Sequence, residues 1–258
     1  MGVVFVNTIL SLVLSVINHS LNHDVNYDIS MAILNQYHQF DQLTLSSLAT
    51  QCNTSPNAIK RYCEMLGCKS FTDFKSLLKM TCNIRKKQIS FRVKKTNEDQ
   101  IMASLKNNAL TSFDEMKFRN DIEALADLIH RSNKVIFLGA CFPSALTINF
   151  QEDLITMGKI AYSYPINESF EGIVDATDAL IIAVSISGSI LQSIQKPLEN
   201  SKNDIVMIGG INVKGNRDYY KIKVDLPLDE DDETGNIFIL ETLRYLRNVY
   251  FNKYIQKF

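Results

Sequence analysis

The stretch Thr44–Lys75, TLSSLATQCNTSPNAIKRYCEMLGCKSFTDFK, decides how the first third of the chain folds. Leu45, Leu48, Ala49 and Cys52 recur at i, i+3, i+4 and i+7, and Ile59, Tyr62, Cys63 and Leu66 repeat that pattern one short turn later. Each set predicts an amphipathic helix. Between them Ser55 is a good N-cap, and Pro56 occupies the first helical position, where its missing N–H is no loss. Two short helices joined by a capped turn are the signature of a helix-turn-helix. Asn57, Lys60, Arg61 and Glu64 fall off the apolar stripe of the second helix. Ser55, Pro56 and Asn57 stand at its N-terminal end, the end that meets base edges in such motifs.

Charge along the chain agrees with this reading. The 258 residues carry a formal net charge of −1, which alone argues against a polyanionic partner. The charge is segregated, however. Residues 1–59 contain no Lys or Arg, and residues 60–95 hold eleven against Glu64 and Asp73, a local +9. A basic block that begins on the second helix is the footprint of a phosphate-facing surface, and its bland alternative is a solvated face. Within it, Arg85-Lys86-Lys87 through Arg92, Lys94 and Lys95 looks too polar to bury much. The preceding helix, with Phe71, Phe74, Leu77 and Leu78 on one face, is expected to close near Lys79, leaving 81–112 as a basic linker or an arm along the phosphates.

The N-terminal run Gly2–Ile17 is mostly apolar but lacks a positive flank and is short for a membrane span, so it predicts a buried helix through Leu10, Val13, Leu14 and Ile17. Asn18–Tyr27 reads as a polar connection before a supporting helix over Ile29–Phe40. The cysteines Cys52, Cys63, Cys68, Cys82 and Cys141 are odd in number and lack Cys-x-x-Cys spacing. They read as core thiols of a reducing cytosol, and the localisation expected is cytoplasmic. His19 and His23 share a helical spacing without a third ligand. No metal site and no cofactor are expected.

From about Phe113 the pattern alternates. A helix carrying Ile122, Leu125, Ala126 and Ile129 precedes strand candidates at Lys134–Leu138, Ile160–Tyr164, Ala179–Val184, Ile205–Ile208 and Tyr220–Val224. Helices are expected over Ser144–Met157, Ile190–Ser201 and Asn236–Tyr254. Short apolar strands separated by helices predict a parallel sheet covered on both faces. The division expected is 1–80 for an all-α helix-turn-helix domain, 81–112 for the linker and 113–258 for an α/β domain. After the Ala179–Val184 strand, Ser185-Ile186-Ser187-Gly188-Ser189 opens onto a helix, an arrangement suited to an anion, although a plain capped turn has the same composition. Gly139-Ala-Cys-Phe-Pro-Ser144 forms a second wall, with Ser144 a helix cap or a ligand contact.

The order of a helix-turn-helix carrying SPNAIKRYCEMLGCKSFTDFK, a basic segment and an α/β domain with a Ser-x-Ser-Gly loop resembles the RpiR-type transcriptional regulators. These join a DNA-binding domain to a sugar isomerase (SIS) domain. The resemblance spans roughly residues 25 to 255 and is most specific at Ser55-Pro56, Arg61, Leu66-Gly67, Phe71 and Phe74-Lys75. It implies an SIS-like second domain and DNA contacts from Ser55, Asn57, Lys60 and Arg61, to which Pro56 is added by position. It also implies a phosphorylated sugar held by Gly139, Ser144, Ser185, Ser187, Gly188 and Ser189, double-stranded operator DNA as partner, and a homodimer or homotetramer. A repressor of carbohydrate genes is the preferred form. The sequence departs from the family where Cys141 and Pro143 replace a glycine and a serine and where Ile190 replaces a threonine. Each lost hydroxyl is worth about 1 kcal/mol or more toward a charged phosphate, an expected loss of tens-fold in affinity, and Ser144 is placed to compensate. Two alternatives remain. One is a sugar-phosphate isomerase using Glu152, Asp153, Glu168 or Glu171 as base, and the other is a regulator whose second domain only oligomerises.

Overall fold

The computed structural model describes residues 8–20, 23–164, 178–188, 201–211, 213, 219–228 and 233–256. Helix α1 (Ile9–His19) is followed by α2 (Val25–Asn35), a 3-10 turn (Phe40–Gln42), α3 (Leu45–Gln51), α4 (Pro56–Met65), α5 (Phe71–Lys95) and α6 (Glu98–Asn107). The apolar run near the N-terminus is the expected buried helix: Ile9, Leu10, Val13, Leu14 and Ile17 are all in the core. No helix among the described residues is long and apolar enough to cross a membrane.

Several helix boundaries differ from the sequence reading, two of them at α2 and α5. Helix α2 starts at Val25 instead of Ile29, because Asp24 caps it by accepting from the backbone N–H of Asn26 and Tyr27 at 2.9 Å each. Helix α5 does not close near Lys79. It runs 25 residues to Lys95, burying Phe74, Leu78, Thr81, Cys82, Ile89 and Val93. That stripe is continuous only if Arg85 and Arg92 count as inward positions, and their acidic partners, described below, make such positions tolerable. The segment read as a basic linker, 81–112, is therefore largely helical, carried by the end of α5 and by α6, whose Ile101, Met102 and Leu105 are buried.

Helix α7 (Glu115–Arg131) leads into β1 (Lys134–Gly139), α8 (Cys141–Thr156), β2 (Ile160–Ser163), β3 (Ala179–Ser185), β4 (Asp204–Gly210), β5 (Ile222–Leu226) and α9 (Glu233–Tyr250), which ends in a π-helical turn (Phe251–Ile255). All five strands are parallel, in the order β2-β1-β3-β4-β5. Every residue of β3 is buried, as its uninterrupted apolar run requires of a central parallel strand. The fold class is as the sequence implies in its layers: an all-α helix-turn-helix part followed by an α/β part built on a parallel sheet. The helix expected over 190–201 lies outside the described residues.

Candidate functional site

The two helices of the motif are held by their own caps. Thr44 accepts from the Ser47 N–H at 3.0 Å while the Ser47 hydroxyl accepts from the Thr44 N–H at 2.9 Å. Ser55 accepts from the Ala58 N–H at 3.2 Å, and Pro56 opens α4. The inner face of α4 is fixed by Ile59, Tyr62 and Cys63; the Tyr62 hydroxyl shares a buried hydrogen bond of 2.7 Å with Ser30 of α2. This packing leaves Ser55, Pro56, Asn57, Lys60, Arg61 and Glu64 exposed on one side of the helix. Four of the cysteines are free thiols. Burial pushes Cys63 up to about 12 and Cys68 up to about 11, so neither is a thiolate at neutral pH.

The second expected site lies where the strand order reverses. From β1 the chain crosses to β2 on one side, and β3 and β4 continue on the other, so the strand order switches between β1 and β3, where sheets of this kind form a ligand crevice outside their carboxyl ends. Gly139 ends β1 so tightly that a Cβ there would stand 3.1 Å from both the Ser144 amide nitrogen and the Val184 carbonyl. In the other loop Ser185 is buried and its hydroxyl accepts from the Gly188 N–H at 3.0 Å, with Gly188 at φ +73°, a conformation that favours glycine. Ser187 is exposed. The fold thus brings Gly139, Ser144, Ser185, Ser187 and Gly188 to one edge, while Ser189 lies outside the described residues. Ser144 does not cap α8, which starts three residues earlier with Ala140 as N-cap; its hydroxyl donates to Ser163 Oγ on β2 at 3.0 Å.

Sequence reasoning missed what lies beneath this edge. Ser163 Oγ also accepts from Gln151 Nε2 at 2.7 Å, and the Ser163 N–H donates to Asn18 Oδ1 at 2.8 Å. Asn18 Nδ2 donates in turn to Gln151 Oε1 at 2.9 Å. On the next two residues of α8, Glu152 pairs with Arg85 at 2.5 Å, and Asp153 pairs with Arg85 at 3.0 Å, Arg92 at 3.6 Å and Arg247 at 3.0 Å. Ser11 of α1 bonds Glu152 as well. Burial pushes the Glu152 carboxyl above its usual range against the pull of Arg85. The helical and α/β parts are therefore joined by buried polar contacts that hydrophobic periodicity does not register.

Together these features define a protein of two parts, a helix-turn-helix with an exposed polar face and a parallel α/β unit with a crevice at its switch point. More particularly, residues 18–83 match the model of the helix-turn-helix domain of the rpiR family. A search of curated proteins finds no match. Among solved structures, the NanR protein of Vibrio vulnificus, complexed with ManNAc-6P, is similar over 96% of this chain and 93% of its own, at 17% identity and a TM-score of 0.46. The sugar isomerase domain of an RpiR transcription factor from Sphaerobacter thermophilus aligns with 61% of this chain and 87% of its own, at 14% identity and a TM-score of 0.44. A Methanococcus jannaschii protein with an inferred 3-hexulose-6-phosphate isomerase function aligns with 60% of this chain and 88% of its own, at 19% and 0.45.

Proposed function

We propose that the protein is a cytoplasmic DNA-binding transcriptional regulator, preferably a repressor of carbohydrate genes, whose hold on operator DNA responds to a phosphorylated sugar. The observation that carries this reading is the polar face of α4. Ser55, Pro56, Asn57, Lys60 and Arg61 are exposed together at the leading end of an rpiR-family recognition helix. Residues 1–80 serve as the DNA-reading domain, 81–112 as the connection and 113–258 as the sensing and oligomerising domain. The protein acts as a homodimer or homotetramer, so that two recognition helices address a two-fold operator. Phosphate binding is assigned to Gly139, Ser144, Ser185, Ser187, Gly188 and Ser189, a reading supported by the serine- and glycine-bearing loops that follow the adjacent strands β1 and β3.

Binding of labelled DNA from upstream of the protein's own gene tests the first half of the reading. The expected result is specific binding whose logarithm falls linearly with the logarithm of salt. Binding no tighter than to scrambled DNA refutes it. A thermal-shift panel of sugar phosphates tests the second half, since a bound ligand stabilises by mass action.

The isomerase alternative is disfavoured by the position of its candidate bases. Glu152 and Asp153 are committed to ion pairs with Arg85, Arg92 and Arg247. Glu168 and Glu171 lie outside the described residues. Measurable isomerisation of a sugar phosphate by the purified protein would reinstate that reading.

A further inference from the structure

Helix α8 touches both the crevice edge and the helical part through polar side chains. At its first turn Ser144 stands on the crevice edge and donates to Ser163. Two turns on, Gln151, fully buried, ties Ser163 to Asn18 of α1. The next two residues hold Arg85 and Arg92 of α5, the helix that begins beside the recognition helix and runs unbroken to Lys95. Asn149 adds a backbone carbonyl to Arg85 at 3.0 Å and its side-chain oxygen to Arg92 at 3.2 Å.

We infer that α8 is the relay between crevice and DNA-reading domain, with Ser144 as its input and Asn18 and Arg85 as positioning residues at its output. This rests on the crevice being the effector site. A serine hydroxyl has one proton. When Ser144 donates it to an anion in the crevice, Ser163 loses that donor, and the buried pair of Gln151 and Asn18 must rearrange around an oxygen with altered partners. Buried polar networks respond as units for this reason. The ion pairs at Glu152 and Asp153 then carry any shift of α8 to α5 without a deformable layer between. Leu12, exposed on the outer face of α1, takes no part.

Hydrogen exchange on the full-length protein without ligand tests the relay. Ser144→Ala should speed exchange on the order of fivefold, the equivalent of one lost hydrogen bond, in the last turn of α1 and over residues 82–95 of α5 as well as around 139–163. Ser144→Thr, which keeps the hydroxyl, should restore the slow rates. Coupling is reciprocal, so Asn18→Ala should speed exchange over 139–144. Ser132→Ala, which removes a similar bond to Leu128 away from α8, should change neither α1 nor α5. If the effect of Ser144→Ala stops within 139–163, or Asn18→Ala leaves 139–144 untouched, the relay is overturned. Should either alanine variant not fold, Ser144→Thr and Asn18→Asp are compared instead, and equal exchange profiles for those two overturn it also. A parallel thermal-shift measurement with inorganic phosphate and glucose 6-phosphate separates the two readings. Coupled exchange without any shift removes the effector crevice and leaves the relay standing, whereas a shift without coupled exchange does the reverse.

Discussion

One basic block behaves in two opposite ways. On α4, Lys60 and Arg61 stand off the apolar stripe and face solvent. On α5, Arg85 and Arg92 stand on the stripe and face inward, with Arg85 only 11% exposed in its side chain and paired to Glu152 and Asp153. The difference teaches that a positive run is not one surface. Helical phase decides which cations meet water and which meet acids, and an arginine in the inward phase is tolerable only where carboxylates are waiting.

The largest expected effect falls on the inward side. Arg85→Ala leaves Glu152 without its cation and Asp153 with one fewer, and breaking such a buried pair costs about 3 kcal/mol. For a chain of this size that lowers Tm by about 10 °C. Its DNA-binding salt slope should stay at the wild-type value, because a buried guanidinium contacts no phosphate. A Tm drop under about 1 °C in differential scanning calorimetry would place Arg85 among the solvent-facing cations, and the comparison would fail.

Arg61→Ala should do the reverse. Operator affinity is expected to fall by about 1–3 kcal/mol, roughly tenfold to a hundredfold, with Tm unmoved. Fluorescence anisotropy at fixed salt measures it. Undiminished binding would remove the recognition role from α4.

The split also explains which parts of the fold the sequence discloses. Apolar spacing locates α3, α4 and all five strands to within two residues, and it marks the buried stripe of α7 though not its start, because those elements bury aliphatic faces of uniform chemistry. It loses α5 at Arg85, since the eye reads an arginine as an exit from the core and no local signal announces its partner 67 residues later. The contacts of Asn18 with Ser163 and Gln151 are equally silent, because they join residues more than 130 positions apart through amides and hydroxyls that any loop might contain. The crevice is intermediate. Its loops are recognisable from Ser, Gly and the preceding strands, but the diversion of the Ser144 hydroxyl to Ser163 depends on the order in which β2 joins the sheet.

Ser55 sharpens the comparison at its boundary, since it serves both stability and the exposed face. Ser55→Ala removes the cap on Ala58 and should cost about 1 kcal/mol. Ser55→Asp keeps a capping oxygen and should retain wild-type stability in urea unfolding, yet it sets a negative charge against DNA phosphates and should weaken binding. If Ser55→Asp bound DNA as well as the wild type, the end of α4 would not lie against the duplex.

The smallest effect concerns the inward acids. Burial raises the Glu152 carboxyl above its ordinary 4.5, with Arg85 and Ser11 only partly opposing it. The folded protein therefore holds this proton more tightly than the unfolded chain does. Stability from this group is full below pH 4.5 and declines as pH rises through the window from 4.5 to the raised folded value. Glu152→Gln, an isostere of the protonated form, should match the wild-type Tm at the acid end of that window and rise slightly above it beyond the window. In the Arg85→Ala background the same substitution should gain more, because the opposing cation is gone. A Glu152→Gln variant that instead loses stability as pH rises would mean that attraction to Arg85 outweighs burial, and the inward half of the basic block would then be held by charge more than by packing.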